Sequence, residues 1–171
     1  MGVKRIWLDL EFTGIAIHDH EIREMAFLIG TAERYLKIGH MGENCLSKLF
    51  PGQITARKAM RAFLKALPKK LGEGGTCETG LLQWAGYNIK YDLKWIKAKM
   101  FPSYDPIWGW FDPTPLDVLT LVRGLKKSGK LNIKDCRLVT VAAYFGIPHT
   151  PHSALSDIRA TRFVWRRIKD M

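Results

Sequence analysis

Apolar and polar residues alternate along the first predicted element. In "IWLDLEFTG", Ile6, Leu8 and Leu10 recur at every second position, which is the spacing of a β-strand. Because successive side chains of a strand point to opposite faces, Asp9 and Glu11 would share the other face. Two carboxylates side by side repel each other unless a cation lies between them, and hard divalent ions prefer oxygen ligands. The stretch therefore indicates either a metal site or a strand end that runs into solvent.

The remaining pattern alternates strands with helices. Two strands are predicted within 24–39, after a polar turn at 17–21, and a third at 81–86. Helices are predicted at 54–68, 90–100, 136–147 and 154–170, a strand that continues as a helix at 116–125, and loops at 73–80 and 101–115. Strands followed by alternating helices and strands predict an α/β class with a mixed sheet.

Length and charge narrow the class of partner. The chain has 171 residues, which predicts a single domain over residues 1–171 with a sizeable core. It carries 27 Lys and Arg against 16 Asp and Glu, a net charge of +11, which favours nucleic acid over a merely soluble basic surface. No apolar run approaches the ~20 residues that a membrane span needs, so we expect no membrane partner.

Cysteine usage indicates a compartment. Cys45, Cys77 and Cys136 are far apart, odd in number and without metal-ligand spacing. This pattern argues against a disulfide framework or a zinc site and predicts a reducing, cytoplasmic location. Met1 is followed almost directly by the first strand, so we also expect no signal peptide.

Two more acidic positions lie where helices begin. Asp92 falls in the first turn of its predicted helix, just after a strand, and ligand sites gather at such junctions. Its alternative role is to stabilise the helix dipole. Asp157 lies early in the last helix, preceded by His149 and His152. Prolines interrupt the two histidines, so they do not form the i, i+4 helical pair that binds zinc.

Three segments of the chain match a known set of motifs. They read Asp9-Leu10-Glu11-Phe12-Thr13-Gly14, then Asn88-Ile89-Lys90-Tyr91-Asp92, then His152 with Asp157 in "HSALSD". In this order they resemble the DEDDh family of 3′→5′ exonucleases, which includes polymerase proofreading subunits, ribonuclease T and oligoribonuclease. Softer matches lie at 21–29, with Glu24 in the usual acidic position, and at 115–123. Tyr87 departs from the family pattern, because many members have His there.

The resemblance implies a fold and a site. The fold would be RNase H-like, a mixed central sheet of about five strands flanked by helices. Asp9, Glu11, Asp92 and Asp157 would hold two divalent ions, Mg²⁺ or Mn²⁺, which activate the attacking water and stabilise the leaving 3′ oxygen. His152 would take the proton from that water. Substrate contacts are expected from Phe12, Thr13, Gly14 and Asn88, the first by base stacking and the last by bracing the site.

The function implied is a metal-dependent exonuclease. It would release nucleoside 5′-monophosphates from single-stranded 3′ ends, with DNA favoured over RNA. The alternatives are an oligoribonuclease-like RNA exonuclease, an RNase H-like endonuclease, in which His152 has no obvious role, and a non-catalytic nucleic-acid-binding module. The complete set of four acids and a histidine argues against the last. A polymerase or another replication or repair protein is a candidate partner.

Two aromatic features have two interpretations each. Phe12 lies at the edge of the proposed site, so it either stacks on the terminal base or belongs to the core. The loop "PIWGWFDP" (106–113) contains Trp108, Trp110 and Phe111, more aromatics than an ordinary exposed loop carries. These rings either pack on the protein itself or at a subunit contact, or they form a flap that grips the substrate strand.

Overall fold

A computed structural model of the protein describes residues 4–29, 32–37, 82–101 and 103–171. The strands are β1 (Lys4–Phe12), β2 (Ile22–Ile29), β3 (Ala32–Lys37), β4 (Leu82–Gly86) and β5 (Leu116–Asp117). The helices are α1 (Ile89–Lys99), α2 (Val118–Lys127), α3 (Leu138–Tyr144) and α4 (Ala154–Ile168), with a 3-10 helix at Pro106–Trp110. The predicted helix at 54–68, the predicted loop at 73–80, and Cys45 and Cys77 lie outside the described residues.

Within these ranges the strands form one mixed sheet in the order β3-β2-β1-β4-β5. β2 pairs antiparallel with β1 and β3, whereas β4 runs parallel to β1 and β5. This confirms the predicted α/β fold with a mixed sheet of about five strands, although β5 has only 2 residues. β1 and β4 run in the same direction, so their carboxyl ends lie at one edge of the sheet, where α/β proteins place their ligand sites.

Alternation along β1 divides its side chains between two apolar clusters. Leu8 and Leu10 pack with buried side chains of α1 on one face of the sheet. Trp7 packs with buried side chains of α2, α3 and α4 on the other face. Asp9 and Glu11 follow Trp7 at two-residue spacing, so they continue the face that α4 covers. The sheet thereby separates a side that is packed mainly with apolar residues from a side that ends in Asp9 and Glu11.

The helices begin and end close to their predicted positions, and α3 differs most. It is shorter than the predicted helix at 136–147, because the chain is still extended at Arg137, whose backbone N–H and guanidinium both donate to Asp135. At its other end Gly146 has a φ of 64°, a left-handed conformation that stops helices and suits glycine. The predicted ends of this helix were therefore wrong by a few residues. None of the helices within the described ranges is long and apolar enough to cross a membrane.

The aromatic loop packs on the protein. The indole N–H of Trp108 donates to the carbonyl of Phe101 at 3.1 Å. The ring of Phe111 stacks on Trp84 with a centroid distance of 4.1 Å. Trp110 is partly buried against the same apolar cluster. These contacts favour the packing interpretation of residues 106–113 over a flap that grips the substrate.

Candidate metal centre

Three carboxylates meet at the carboxyl end of β1. Asp9 and Glu11 come from the strand, and Asp157 reaches them from the first turn of α4. One carboxylate oxygen of each lies within 4.8 Å of the others. Helix α4 is held at this place because its buried Ile158 packs in the cluster that contains Trp7. The fold therefore brings together acids from the first and third predicted motifs, which we call the carboxylate cluster.

The charges of the carboxylate cluster repel each other. Burial raises the pKa of Asp9 well above its usual range, and the negative charges of Asp92, Asp157 and Glu11 raise it further. Burial is also the main cause that raises the pKa of Glu11 and the pKa of Asp157. A cation bound among these groups would offset the repulsion and keep them ionised.

Asp92 approaches the cluster from the other face of the sheet. β4 pairs with β1 only as far as Trp7, so the backbone beyond that point needs another partner. The N–H of Leu10 donates to the Asp92 carboxylate at 3.2 Å, and Asp92 is 6% exposed. Burial raises its pKa well above the usual range, although this hydrogen bond opposes the shift. Asp92 is not one of the three residues of the carboxylate cluster, but its negative charge raises the pKa of Asp9.

The two histidines before α4 occupy different environments. The side chain of His149 is 5% exposed, and its Nε2 lies 2.7 Å from Oδ1 of Asp157, a contact that lowers the pKa of that carboxyl against the effect of burial. His152 is exposed, and its φ of 63° is unusual for a residue other than glycine. Its charge lowers the pKa of both Glu11 and Asp157, so its imidazole is within electrostatic reach of the cluster.

Sequence analysis did not identify the contact between His149 and Asp157. The only available signal was the spacing of the two histidines, which does not tell which ring turns inward. The geometry makes His149 a neighbour that fixes one carboxylate, because a hydrogen bond to a ligand's carboxylate restricts its orientation. His152 remains free to approach a substrate, which suits the predicted base.

Residues 13–21 close into a loop directly after β1. The N–H of Thr13 donates to the carbonyl of Glu21 at 2.9 Å, and the Thr13 hydroxyl accepts from the N–H of Glu21 at 3.0 Å. The ring of His20 lies 2.2 Å from the place where a Cβ on Gly14 would be, so a larger residue at position 14 would displace that ring. The next residue, Ile15, is 87% exposed. The contacts of Thr13 and Gly14 with a nucleotide stay predictions.

Phe12 packs more firmly than its predicted substrate role implies. Its ring stacks on Trp95 with a centroid distance of 4.2 Å and meets the edge of Tyr91 at 5.6 Å. It therefore belongs to the apolar side of the sheet that α1 covers. These contacts favour the core role of Phe12, and its stacking on a base stays a prediction.

Asn88 and Tyr87 connect the start of α1 to neighbouring elements. Asn88 has a φ of 60°, and its backbone N–H donates to Asp117 at 2.9 Å while its side chain is exposed. The hydroxyl of Tyr87 donates to the carbonyl of Cys136 at 2.6 Å, and burial raises the pKa of that phenol. The backbone of Asn88 thus links the start of α1 to Asp117, its bracing of the site stays a prediction, and Tyr87 anchors the segment that precedes α3.

The donor set fits a hard divalent cation. Every member of the carboxylate cluster offers an oxygen, as Mg²⁺ and Mn²⁺ prefer. Acidic clusters also occur without ions, but here burial raises the pKa of each member, which a bound cation would offset. Among the described residues, Asp9, Glu11 and Asp157 would hold such an ion, with Asp92 directly behind Asp9.

The chain belongs to a known family of nucleases. The family model described as the RNase T type exonuclease matches residues 6–163, which is most of the chain. The match includes every predicted site residue and confirms the resemblance inferred from the motifs. The protein is thus a nuclease hydrolase of the DEDD type, a family that uses divalent metals.

Solved structures of exonuclease I share the fold. A product-bound structure matches with a TM-score of 0.67 and 16% identity over 99% of this chain and 44% of that chain. E. coli exonuclease I in complex with a 5cy-dT13 oligonucleotide matches with a TM-score of 0.65 and 16% identity, over 99% of this chain and 41% of that chain. An ExoI/SSB-Ct complex matches with a TM-score of 0.64 and 15% identity, over 99% of this chain and 42% of that chain. This chain thus spans less than half of each, and the likeness confirms the RNase H-like fold alone. No curated protein sequence matches the chain.

Proposed function

We propose that the protein is a 3′→5′ exonuclease that removes nucleoside 5′-monophosphates from single-stranded ends, with DNA favoured over RNA. The observation that carries the proposal is the convergence of Asp9, Glu11 and Asp157 within 4.8 Å, in a chain of an exonuclease family. Asp92 and His152 supply the other two members of the DEDDh set.

The proposed mechanism assigns a task to each group. Two divalent ions, when bound, supply Lewis acidity to the attacking water and to the leaving oxygen. The carboxylate cluster and Asp92 would hold those ions. His152, exposed beside Glu11 and Asp157, accepts the proton of the attacking water at an imidazole nitrogen. His149 keeps Asp157 in its orientation through the 2.7 Å contact.

The nucleic-acid substrate is supported by charge. The net charge of the chain is +11. Lys90, Lys94 and Lys97 are exposed at i, i+4 and i+7 of α1, so they lie along one face of that helix. We infer that this exposed row attracts the phosphates of the strand that leads to the site. The preference for DNA is supported by the dT13 oligonucleotide in the exonuclease I structure.

We further propose a partner and a location. SSB in the exonuclease I complexes supports a replication or repair protein as a partner, with a polymerase as the alternative. A cytoplasmic location rests on the cysteine pattern alone.

The decisive experiment follows both ends of an oligonucleotide. Single-stranded DNA, RNA and dinucleotides, labelled at the 5′ or 3′ end, are incubated with Mg²⁺, Mn²⁺ or EDTA, alongside Asp157→Ala. The proposal predicts immediate release of a 3′ label as mononucleotide, a descending ladder from the 5′ label, and no cleavage in EDTA or in the variant. Preferred cleavage of RNA or dinucleotides would support the oligoribonuclease-like alternative. Internal cuts, or binding without cleavage, would overturn the exonuclease proposal.

A further inference from the structure

Helix α4 begins without a side-chain cap of its own. Its N-cap residue, Ser153, makes no side-chain hydrogen bond to the first turn. The first backbone N–H groups of a helix have no partner inside the helix and need one elsewhere. The N–H of Ala154 donates instead to Oε2 of Glu24 at 3.3 Å. Glu24 lies on β2, 130 residues earlier in the chain, and is 7% exposed.

A β-bulge places Glu24 and its neighbour against this helix. Glu11 lies opposite Glu24, whereas Phe12 lies opposite Ile22, so Arg23 is the extra residue of β2. Bulges redirect side chains and are frequent beside active sites. The guanidinium of Arg23 lies 3.5 Å from the carbonyl of His152 and 3.9 Å from the Glu11 carboxylate. Adjacent residues of one strand therefore both reach the segment that leads into α4.

The negative charge of Glu24 is electrostatically unfavourable at this position unless another interaction stabilises it. It lies directly opposite Glu11, and like charges in that arrangement destabilise a sheet. Its charge also opposes ionisation of Asp9. The N-terminus of a 15-residue helix offsets this repulsion, because its free N–H groups and its dipole stabilise the negative charge of Glu24.

The contact reaches Asp157 through one helical turn. The N–H of Asp157 donates to the carbonyl of Ser153 at 2.8 Å, so the position of Asp157 follows the start of the helix. Ser153 is adjacent to Ala154, the residue that Glu24 holds.

We propose that Glu24, supported by Arg23, is a positioning residue that sets the start of α4 so that Asp157 meets Asp9 and Glu11. The proposal rests on the proposed function, since it assigns Glu24 to the geometry of the same metal site. Glu24 acts through the hydrogen bond to Ala154 and does not belong to the carboxylate cluster.

The test separates the hydrogen bond from the charge. Glu24→Gln keeps an acceptor oxygen at the same reach and removes the charge, whereas Glu24→Asp keeps the charge and shortens the reach. The matched control is Glu21→Gln, an exposed carboxylate near the start of the same strand that pairs with Lys99 at 3.0 Å and not with α4. For each purified protein, Mn²⁺ affinity is measured without nucleic acid, and hydrogen exchange of the Ala154 amide is measured in EDTA.

The expected pattern is specific to positioning. Glu24→Gln and Glu21→Gln keep the Mn²⁺ affinity and the slow Ala154 exchange of the parent. Glu24→Asp loses about 10- to 100-fold in Mn²⁺ affinity, as variants of groups that orient metal ligands do, and Ala154 exchanges faster. The reverse order, with Gln impaired and Asp intact, would overturn the proposal, as would two unimpaired variants.

The same data separate this inference from the proposed function. Mn²⁺ binding with the expected pattern, in a parent protein that cleaves no 3′ end, would overturn the exonuclease proposal alone. A parent that cleaves 3′ ends but shows the reverse pattern at Glu24 would overturn this inference alone.

Discussion

Helices α1 and α4 each bring one acid to the end of β1, but they hold it in different ways. Asp92 of α1 is buried and accepts a hydrogen bond from the backbone of Leu10. Asp157 of α4 retains 15% side-chain exposure and is contacted by the side chain of His149. Only Asp157 belongs to the carboxylate cluster with Asp9 and Glu11.

Asp92 and Asp157 should differ in how much substitutions of neighbouring residues change their positions. The main chain of β1 fixes Asp92, and no side-chain substitution removes a backbone N–H except proline. Asp157 depends on side chains from two distant places, His149 in the preceding loop and Glu24 on β2. The α4 side of the site should therefore be the more sensitive to substitutions outside the four acids.

The largest effects are expected from the acids themselves. Asp157→Asn and Asp92→Asn should each lower kcat by about 10³-fold or more, since bound metals supply several kcal/mol and about 1.4 kcal/mol is tenfold. Their Mn²⁺ affinities should differ, because only Asp157→Asn disrupts the carboxylate cluster. Single-turnover cleavage and Mn²⁺ titration measure the two quantities. If both variants lost the same affinity for the first Mn²⁺ ion, the proposed difference between Asp157 and Asp92 would be wrong.

The histidines should separate chemistry from positioning. His152→Ala should lower kcat by about 10²–10⁴-fold with metal affinity intact, as removal of a general base does. Because His149 contacts Asp157 at 2.7 Å, His149→Ala should lower metal affinity by about 10- to 100-fold.

A pH–rate profile distinguishes the two histidine variants. An imidazole accepts a proton only when neutral, so the parent rate should rise with pH, and this limb should vanish in His152→Ala. His149→Ala should keep the limb and recover rate at high Mg²⁺. If the rise of rate with pH disappeared in His149→Ala and persisted in His152→Ala, His149 would be the base and His152 would not.

Phe12 and Ile15 provide a smaller contrast between a packed and an exposed residue. Phe12→Ala should lower the free energy of unfolding by about 2–3 kcal/mol, below the value for a fully buried Phe, because its ring stacks on Trp95. Because Ile15 is exposed directly after Gly14, we expect its side chain to contact the bound nucleotide. Ile15→Ala should then leave the melting temperature unchanged and raise KM by roughly three- to tenfold, since a lost apolar contact is worth about 1 kcal/mol. Thermal unfolding and steady-state kinetics test both. An unchanged melting temperature with a raised KM in Phe12→Ala would restore its predicted stacking role.

The smallest effect concerns stability without metal. Burial raises the folded-state pKa of Asp92 above its unfolded value, so its contribution to stability is fully present at low pH and is lost as pH rises through the folded pKa. Asp92→Asn keeps an acceptor for Leu10 and removes the buried charge. In EDTA near neutral pH this variant should melt higher than the parent by about 2–4 °C per kcal/mol regained, and Asp157→Asn by less. A lower melting temperature for Asp92→Asn would contradict the assigned burial cost.

The order of the three motifs predicted the four acids, whereas the local pattern alone left a strand end for Asp9 and Glu11 and a helix-dipole role for Asp92 as alternatives. Alternation placed Asp9 and Glu11 on one face of β1, whereas the packing of Phe12 on the side of Leu10 was found only in the structure. Contacts between distant segments were not predictable. The hydrogen bond from Ala154 to Glu24 spans 130 residues, and the inward turn of His149 depends on a proline-interrupted loop without periodicity.

We expect Asp9 to lie between the two cations of the nuclease site, and a single Mn²⁺ titration can show whether it does. Mn²⁺ binding and release of a 3′ mononucleotide are measured on the same samples of parent protein and Asp9→Ala, with folding checked by thermal unfolding. The account predicts two Mn²⁺ per parent chain, cleavage that follows their occupancy, and a folded Asp9→Ala that neither binds them tightly nor cleaves. Full activity of the parent in EDTA, or of Asp9→Ala in Mn²⁺, would contradict it.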